Sequence, residues 1–114
     1  MKQEHLKQII ELRHRLHSCP ELSLEEYRTK EILMEFIKTH TGLEVVDRGR
    51  WFYAVYHCGR PGAASVAFRA DFDALPIVES GTSPYASQNP GVSHKCGHDG
   101  HSAALAGLDR KSVV

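Results

Sequence analysis

The sequence contains no apolar run approaching the roughly 20 residues needed to cross a bilayer. Its first residues, Met1-Lys2-Gln3-Glu4-His5, are charged where a signal peptide would be apolar. Both absences lead to the expectation of a cytoplasmic protein. Charge of either sign is not in excess, because Lys plus Arg and Asp plus Glu are both 14 and the formal net charge is zero. Such a balance leaves no electrostatic footprint for nucleic acid or for an anionic membrane surface, so a small-molecule ligand is expected. Cysteine is scarce, with only Cys19, Cys58 and Cys96. An odd set without framework spacing fits a reducing compartment better than a disulfide-stapled secreted domain. Internal repeats and low-complexity segments are also lacking. At 114 residues there is room for one small domain and not for two.

Histidine, by contrast, is abundant, with 8 in the chain. His5, His14, His17 and His40 fall in expected helices and His57 in an expected strand, where a solvated or hydrogen-bonded ring is the ordinary role. The remainder gather in His94-Lys95-Cys96-Gly97-His98-Asp99-Gly100-His101. A thiol, three imidazoles and a carboxylate so close together offer the ligand chemistry of a late first-row metal, and the glycines allow tight folding around an ion. Cys96 and His98 stand two apart, so in an extended segment they leave the backbone on the same side. A helix beginning just after Asp99 would put His98 at its mouth, where the dipole favours a nearby thiolate. The Ala-rich run from Ser102 to Leu108 supports that helix. The plain alternative is a polar, Gly-rich loop, since the second half of a structural zinc site is lacking.

Upstream, Leu6, Ile9, Ile10, Leu12 and Leu16 give a broad apolar stripe that predicts a helix over 4–17, closed by Cys19-Pro20. Ser23-Leu24-Glu25-Glu26 reads as a capping box, with Leu22 and Tyr27 as its hydrophobic staple. The helix it opens runs to about His40, stopped by Thr41-Gly42. Residues 43–46 form a short strand candidate. The runs 51–57 and 64–70 are predicted to pair as a hairpin across Gly59-Arg60-Pro61-Gly62, and the apolar Val66-Ala67-Phe68 suggests a central strand covered on both faces. The order of elements implies an α/β fold. The last strand leads into Arg69-Ala70-Asp71-Phe72-Asp73, and in open α/β sheets sites collect beyond the carboxyl ends of strands. Asp71 and Asp73 are therefore candidate site carboxylates, although Asp-x-Asp is also a common turn sequence; carboxylates of this kind orient metal-bound imidazoles. Residues 77–93 look irregular, with Tyr85 anchoring them.

Three stretches then combine: His17-Ser18-Cys19-Pro20-Glu21-Leu22-Ser23, Phe68 to Ile77, and Pro90 to His101. Together they resemble the N-terminal part of the M20 metallopeptidase family, and within it the amidohydrolase branch of N-acyl-amino-acid amidohydrolases and hippurate hydrolases. The resemblance covers residues 4 to 108 and implies part of a zinc-exopeptidase-like three-layer α/β/α catalytic domain over 1–108. It implies a hydrolase with two divalent metal ions, Zn, Mn, Co or Ni, in which Cys96 bridges the ions and His98 binds one. Asp73 is implied as a supporting carboxylate, and Asp71, Asp99 and His101 as second-layer groups or further ligands. In such sites two ions about 3.5–4 Å apart polarise an amide carbonyl and acidify a bridging water. The carboxylate base and the other ligands are implied from downstream sequence.

The implied substrate is an N-acyl amino acid or small peptide, with neither nucleic acid nor membrane as a partner and a homodimer possible for the longer protein. The alternatives are a dipeptidase or carboxypeptidase of the same family, and a catalytically incomplete metal-binding module. Residues 109–114, Asp-Arg-Lys-Ser-Val-Val, break the apolar pattern of the last helix and are expected to be a non-native tail.

Overall fold

A computed structural model describes residues 2–111. Helix α1 spans Gln3–Ser18, α2 Tyr27–His40, α3 His98–Ala106 and the short α4 Leu108–Lys111, with strands β1 Glu44–Asp47 and β2 Phe52–Val55 between α2 and α3. The class is α/β, as the order of sequence patterns implied. Of the tail expected to be non-native, Asp109 to Lys111 lie in α4 and residues 112–114 fall outside the described residues.

The core forms where three helices meet. Leu12 and Leu16 of α1 pack with Ile32, Leu33 and Ile37 of α2 and with Ala103 and Ala106 of α3, and Val45, Phe52, Ala54 and Phe72 close its open side. The alanines of α3 let it approach α1 closely. At Gly107 a methyl group would come within 2.7 Å of Ile9 Cγ1, so a larger residue there must displace the Ile9 side chain of α1. The buried stripe of α1 is narrower than its hydrophobicity suggested. Leu6 and Ile10 are about half exposed, and the face they were expected to share is taken instead by His17, which is buried.

Two expectations are overturned. The capping box does not form, because Leu24 has φ +70° in a turn closed by the Glu25 amide on the Leu22 carbonyl. That conformation breaks any helix starting at Ser23, and α2 begins at Tyr27. Its first amides are served by Glu21, whose carboxylate accepts from the backbone of Arg28 (3.1 Å) and of Thr29 (2.5 Å) and from the Thr29 hydroxyl (2.7 Å). The anion thus sits at the positive end of the helix. Tyr27 is exposed, so the staple is absent too.

The hairpin also differs. Residues 44–47 pair antiparallel with 52–55, Glu44 opposite Val55 and Asp47 opposite Phe52, around Arg48–Trp51. Lys30 of α2 holds this turn through Asp47 (2.7 Å) and the Gly49 carbonyl. Residues 64–70 form no strand, and 64–69 lie exposed, Val66 and Phe68 included. An apolar run becomes a strand only when a neighbour takes its backbone hydrogen bonds, and no described segment does so here.

The irregular stretch 77–93 is tied to the C-terminal half of α1. Tyr85 stacks on His14 with ring centroids 3.9 Å apart and lies beneath Arg13, which anchors the loop as expected. Gln88 donates its amide to the Ser18 carbonyl (3.0 Å) and Asn89 its side-chain amide to the Pro20 carbonyl (3.1 Å). Glu79 accepts from the Ser87 amide (2.6 Å), from Lys95 Nζ (2.9 Å) and from His17 Nε2 (2.7 Å). These donors, the Ser87 amide first, pull the Glu79 carboxyl from 4.5 down to about 2.

Two outcomes follow from this packing. Leu16→Ala removes a fully buried side chain and should cost about 2–5 kcal/mol in urea denaturation, whereas Ile10→Ala on the exposed face should cost under about 1 kcal/mol; equal effects would mean the three-helix core is not formed. Because the folded pKa of Glu79 lies below its unfolded value, its contribution is complete above about pH 4.5 and is lost as pH falls towards about 2. Urea midpoints across that window should fall more steeply for the parent chain than for Glu79→Gln; parallel profiles would contradict the loop anchoring.

Candidate metal centre

The three sequence stretches converge on the segment 71–77. Its Ala74 donates an amide to the Glu21 carbonyl (2.7 Å) beside a parallel bridge between Leu22 and Ala74, and Leu75 exchanges amide and carbonyl with Ser93 at 3.0 Å each way. The Ser93 hydroxyl, fully buried, donates to the Ile77 carbonyl (2.7 Å). Residues 20–23 and 93–98 are thus laid on opposite edges of the segment carrying Asp73.

From Ser93 the chain reaches Gly97, whose φ of +90° is left-handed, and enters α3 at His98. His98 Nδ1 lies 2.8 Å from Asp73 Oδ1 and 3.1 Å from the Asp73 carbonyl. Both acceptors lack a proton to give, so Nδ1 carries a hydrogen toward them and Nε2 is the ring nitrogen left for a metal. The other oxygen of Asp73 accepts from the Ser23 hydroxyl. That bond, and then the one from His98, hold the Asp73 carboxyl below the usual range against the opposing effect of burial. Cys96 is exposed. An exposed thiol two residues from an imidazole whose other nitrogen is engaged by a carboxylate fits two donors of a borderline metal.

The remaining candidates separate from this pair. Asp99 is 1% exposed and turned inward, where Oδ2 accepts from Arg13 Nε (3.1 Å) and His17 Nδ1 (2.8 Å). Burial works to raise its carboxyl, but the His17 bond, with His94 and Arg13 nearby, outweighs it and leaves it low. Asp99 is therefore an internal anchor. Asp71 is paired with the exposed Arg69 (2.7 Å), outside the His98–Asp73 contact. His101 is exposed one turn along α3, its ring 6.0 Å from that of His98. His94 is buried with no hydrogen-bond partner on either ring nitrogen, and burial lowers its pKa. Among the described residues no group of three or more His, Cys, Asp and Glu side chains is placed to hold one ion. Cys96 and His98 thus fit part of a metal shell.

The sequence reading missed His17, Arg13 and Glu79. A signal for the first two was present, since Arg13 and His17 are four apart and continue the line of Ile9, placing two polar side chains at the edge of the buried stripe of α1. Glu79 gave none, because irregular sequence carries no periodicity to orient it.

Residues 67–110 match the pattern of the peptidase family M20/M25/M40. The chain is 42% identical over 99 residues to an N-acyl-L-amino acid amidohydrolase of Geobacillus stearothermophilus, covering 87% of this chain and 27% of that protein. It is 40% identical over 102 residues to an N-acetyl-L-cysteine deacetylase of Bacillus subtilis, with 89% and 24% covered. The crystal structure of the Bacillus subtilis YxeP protein, described as a dinuclear metal-binding peptidase from the M20 family, superposes with a TM-score of 0.85 at 33% identity, over 95% of this chain and 31% of that one. The chain spans about a quarter of the length of these curated relatives. With the three motifs gathered on one segment and the likeness extending over nearly the whole chain, the protein belongs to the M20 peptidase family.

Proposed function

We propose that this chain supplies the Cys96 and His98 side of a divalent-metal site in an amidohydrolase that cleaves the amide bond of N-acyl amino acids. The observation that carries the proposal is the Asp73–His98 contact at 2.8 Å, which engages Nδ1 and leaves Nε2, two residues from Cys96 in the chain, as the ring nitrogen available to a metal. The amidohydrolase and deacetylase relatives, named for acylated amino acids, support that substrate class. The dinuclear neighbour supports the choice of divalent metal.

When bound, the metal would act as a Lewis acid toward an amide carbonyl and acidify a water molecule. The residues of this chain have narrower tasks. Cys96 would bind as the thiolate, which the positive end of α3 favours. His98 would bind through Nε2, and Asp73, kept ionised by the Ser23 hydroxyl, would hold that ring in position and raise its basicity. No glutamate follows Cys96 in the sequence, so the proton-accepting carboxylate implied by the family would come from outside residues 97–114.

Titration with Co(II) tests this, since a thiolate bound to Co(II) gives a charge-transfer band in the near ultraviolet. The band should appear with weak affinity, vanish in Cys96→Ser, and need about 10–100-fold more metal in Asp73→Asn. Tight equimolar binding would favour the alternative of a self-contained metal-binding module, and a band that survives Cys96→Ser would refute the assignment.

A further inference from the structure

We propose that His17 is a positioning residue for this site, a clasp on α1 that holds both ends of the segment carrying Cys96 and His98. The inference rests on the reading of His98 as a metal ligand, but its physical content does not.

His17 is 7% exposed. Its Nδ1 lies 2.8 Å from Asp99 Oδ2 and its Nε2 2.7 Å from Glu79 Oε2. Carboxylate oxygens only accept, so both contacts are hydrogen bonds only when both ring nitrogens carry protons. The ring is then an imidazolium between two carboxylates. Arg13 closes the row on the Asp99 side (3.1 Å) and Lys95 on the Glu79 side (2.9 Å), giving alternating charges Lys95, Glu79, His17, Asp99 and Arg13.

The ends of that row decide its function. Asp99 is the neighbour of His98 and Lys95 the neighbour of Cys96, so the segment 95–99 is gripped at both ends by groups that lead back to one ring. On the opposite side His98 meets Asp73. Without the clasp, the first turn of α3 would keep its alanine contacts with α1 and the Arg13 contact to Asp99, but the His17 bond and the grip at the Lys95 end would be lost, and the 2.8 Å contact to Asp73 depends on the rotation they help to set. A side chain serving only to fill space would not need two protonated nitrogens aimed at two carboxylates.

The test uses the metal-free chain and long-range nitrogen–proton NMR of its imidazole rings at neutral pH. His17 should show both nitrogens protonated, and His98 a single Nδ1–H tautomer. In His17→Gln, with helix content by circular dichroism retained, His98 should lose that single-tautomer signature and show a mixture. If His17→Gln does not fold, Glu79→Gln, which keeps the His17–Asp99 bond and releases the Lys95 end, should shift His98 partway in the same direction. A bare nitrogen on His17 in the parent chain overturns the proposal whatever the variants do, as does an unchanged His98 in either folded variant. Coupling between His17 and His98 in a chain that shows no Cys96-dependent Co(II) band would leave the clasp standing and remove the metal assignment, so the two failures are distinguishable.

Discussion

The contact between Asp99 and His17 is the constraint on which the arrangement depends. Asp99 sits in the first turn of α3, 1% exposed, and a carboxylate so placed is tolerable only with partners and near the positive end of a helix. His17 and Arg13 are those partners, and both belong to α1. Removing one member of such a pair costs about 3–5 kcal/mol, whereas apolar replacement of the whole pair is often neutral. The interaction therefore contributes less to overall stability than to the choice of one orientation. Apolar contacts of Leu12 and Leu16 with Ala103 and Ala106 bring α3 against α1, and the ion pair sets its rotation.

Once that rotation is set, the side chains of the His-rich stretch are sorted by geometry. Consecutive helical residues diverge by about 100°, so with Asp99 turned inward His98 must leave α3 toward a different neighbour, which is Asp73. The sequence made the metal-binding composition of 94–101 legible and placed His98 at a helix mouth, because ligand chemistry and helix-forming residues are local properties. It could not separate Asp99 from His98 and His101, because that distinction depends on the long-range partner His17. Period-two reasoning for Cys96 and His98 also has limits here, since Gly97 between them turns at φ +90° instead of continuing extended.

The strand and cap assignments were legible to different degrees for the same reason. The helix ends at Cys19-Pro20 and Thr41-Gly42 were readable because Pro, Gly and a hydroxyl acting on a carbonyl four residues back are local stop signals, as the Thr41 hydroxyl on Ile37 illustrates. The start of α2 was not. Ser23 has the chemistry of a cap, but its hydroxyl is taken by Asp73, fifty residues away, and Glu21 serves the helix instead. A side chain suited to a local task was thus recruited by the site. Residues 64–70 show the converse case. Their apolar composition asks for a covered central strand, yet composition cannot supply the neighbouring strand that would take its hydrogen bonds, and Val66 and Phe68 lie exposed.

These exchanges give the His17–Ser23 stretch a part in the proposed site although it contributes none of the proposed ligands. Ser23 acts on the site through Asp73, because its hydroxyl keeps that carboxylate ionised and directed at His98 Nδ1. His17 acts from the other side through Asp99, the residue next to His98. Glu21, between them, joins the two, its carbonyl accepting from the Ala74 amide while its carboxylate opens α2. A proposed ligand with one ring nitrogen left for a metal therefore depends on two positioning paths, one from the last turn of α1 and one from the turn that follows it. A substitution in that turn should alter the donor set of Cys96 and His98 without touching either residue.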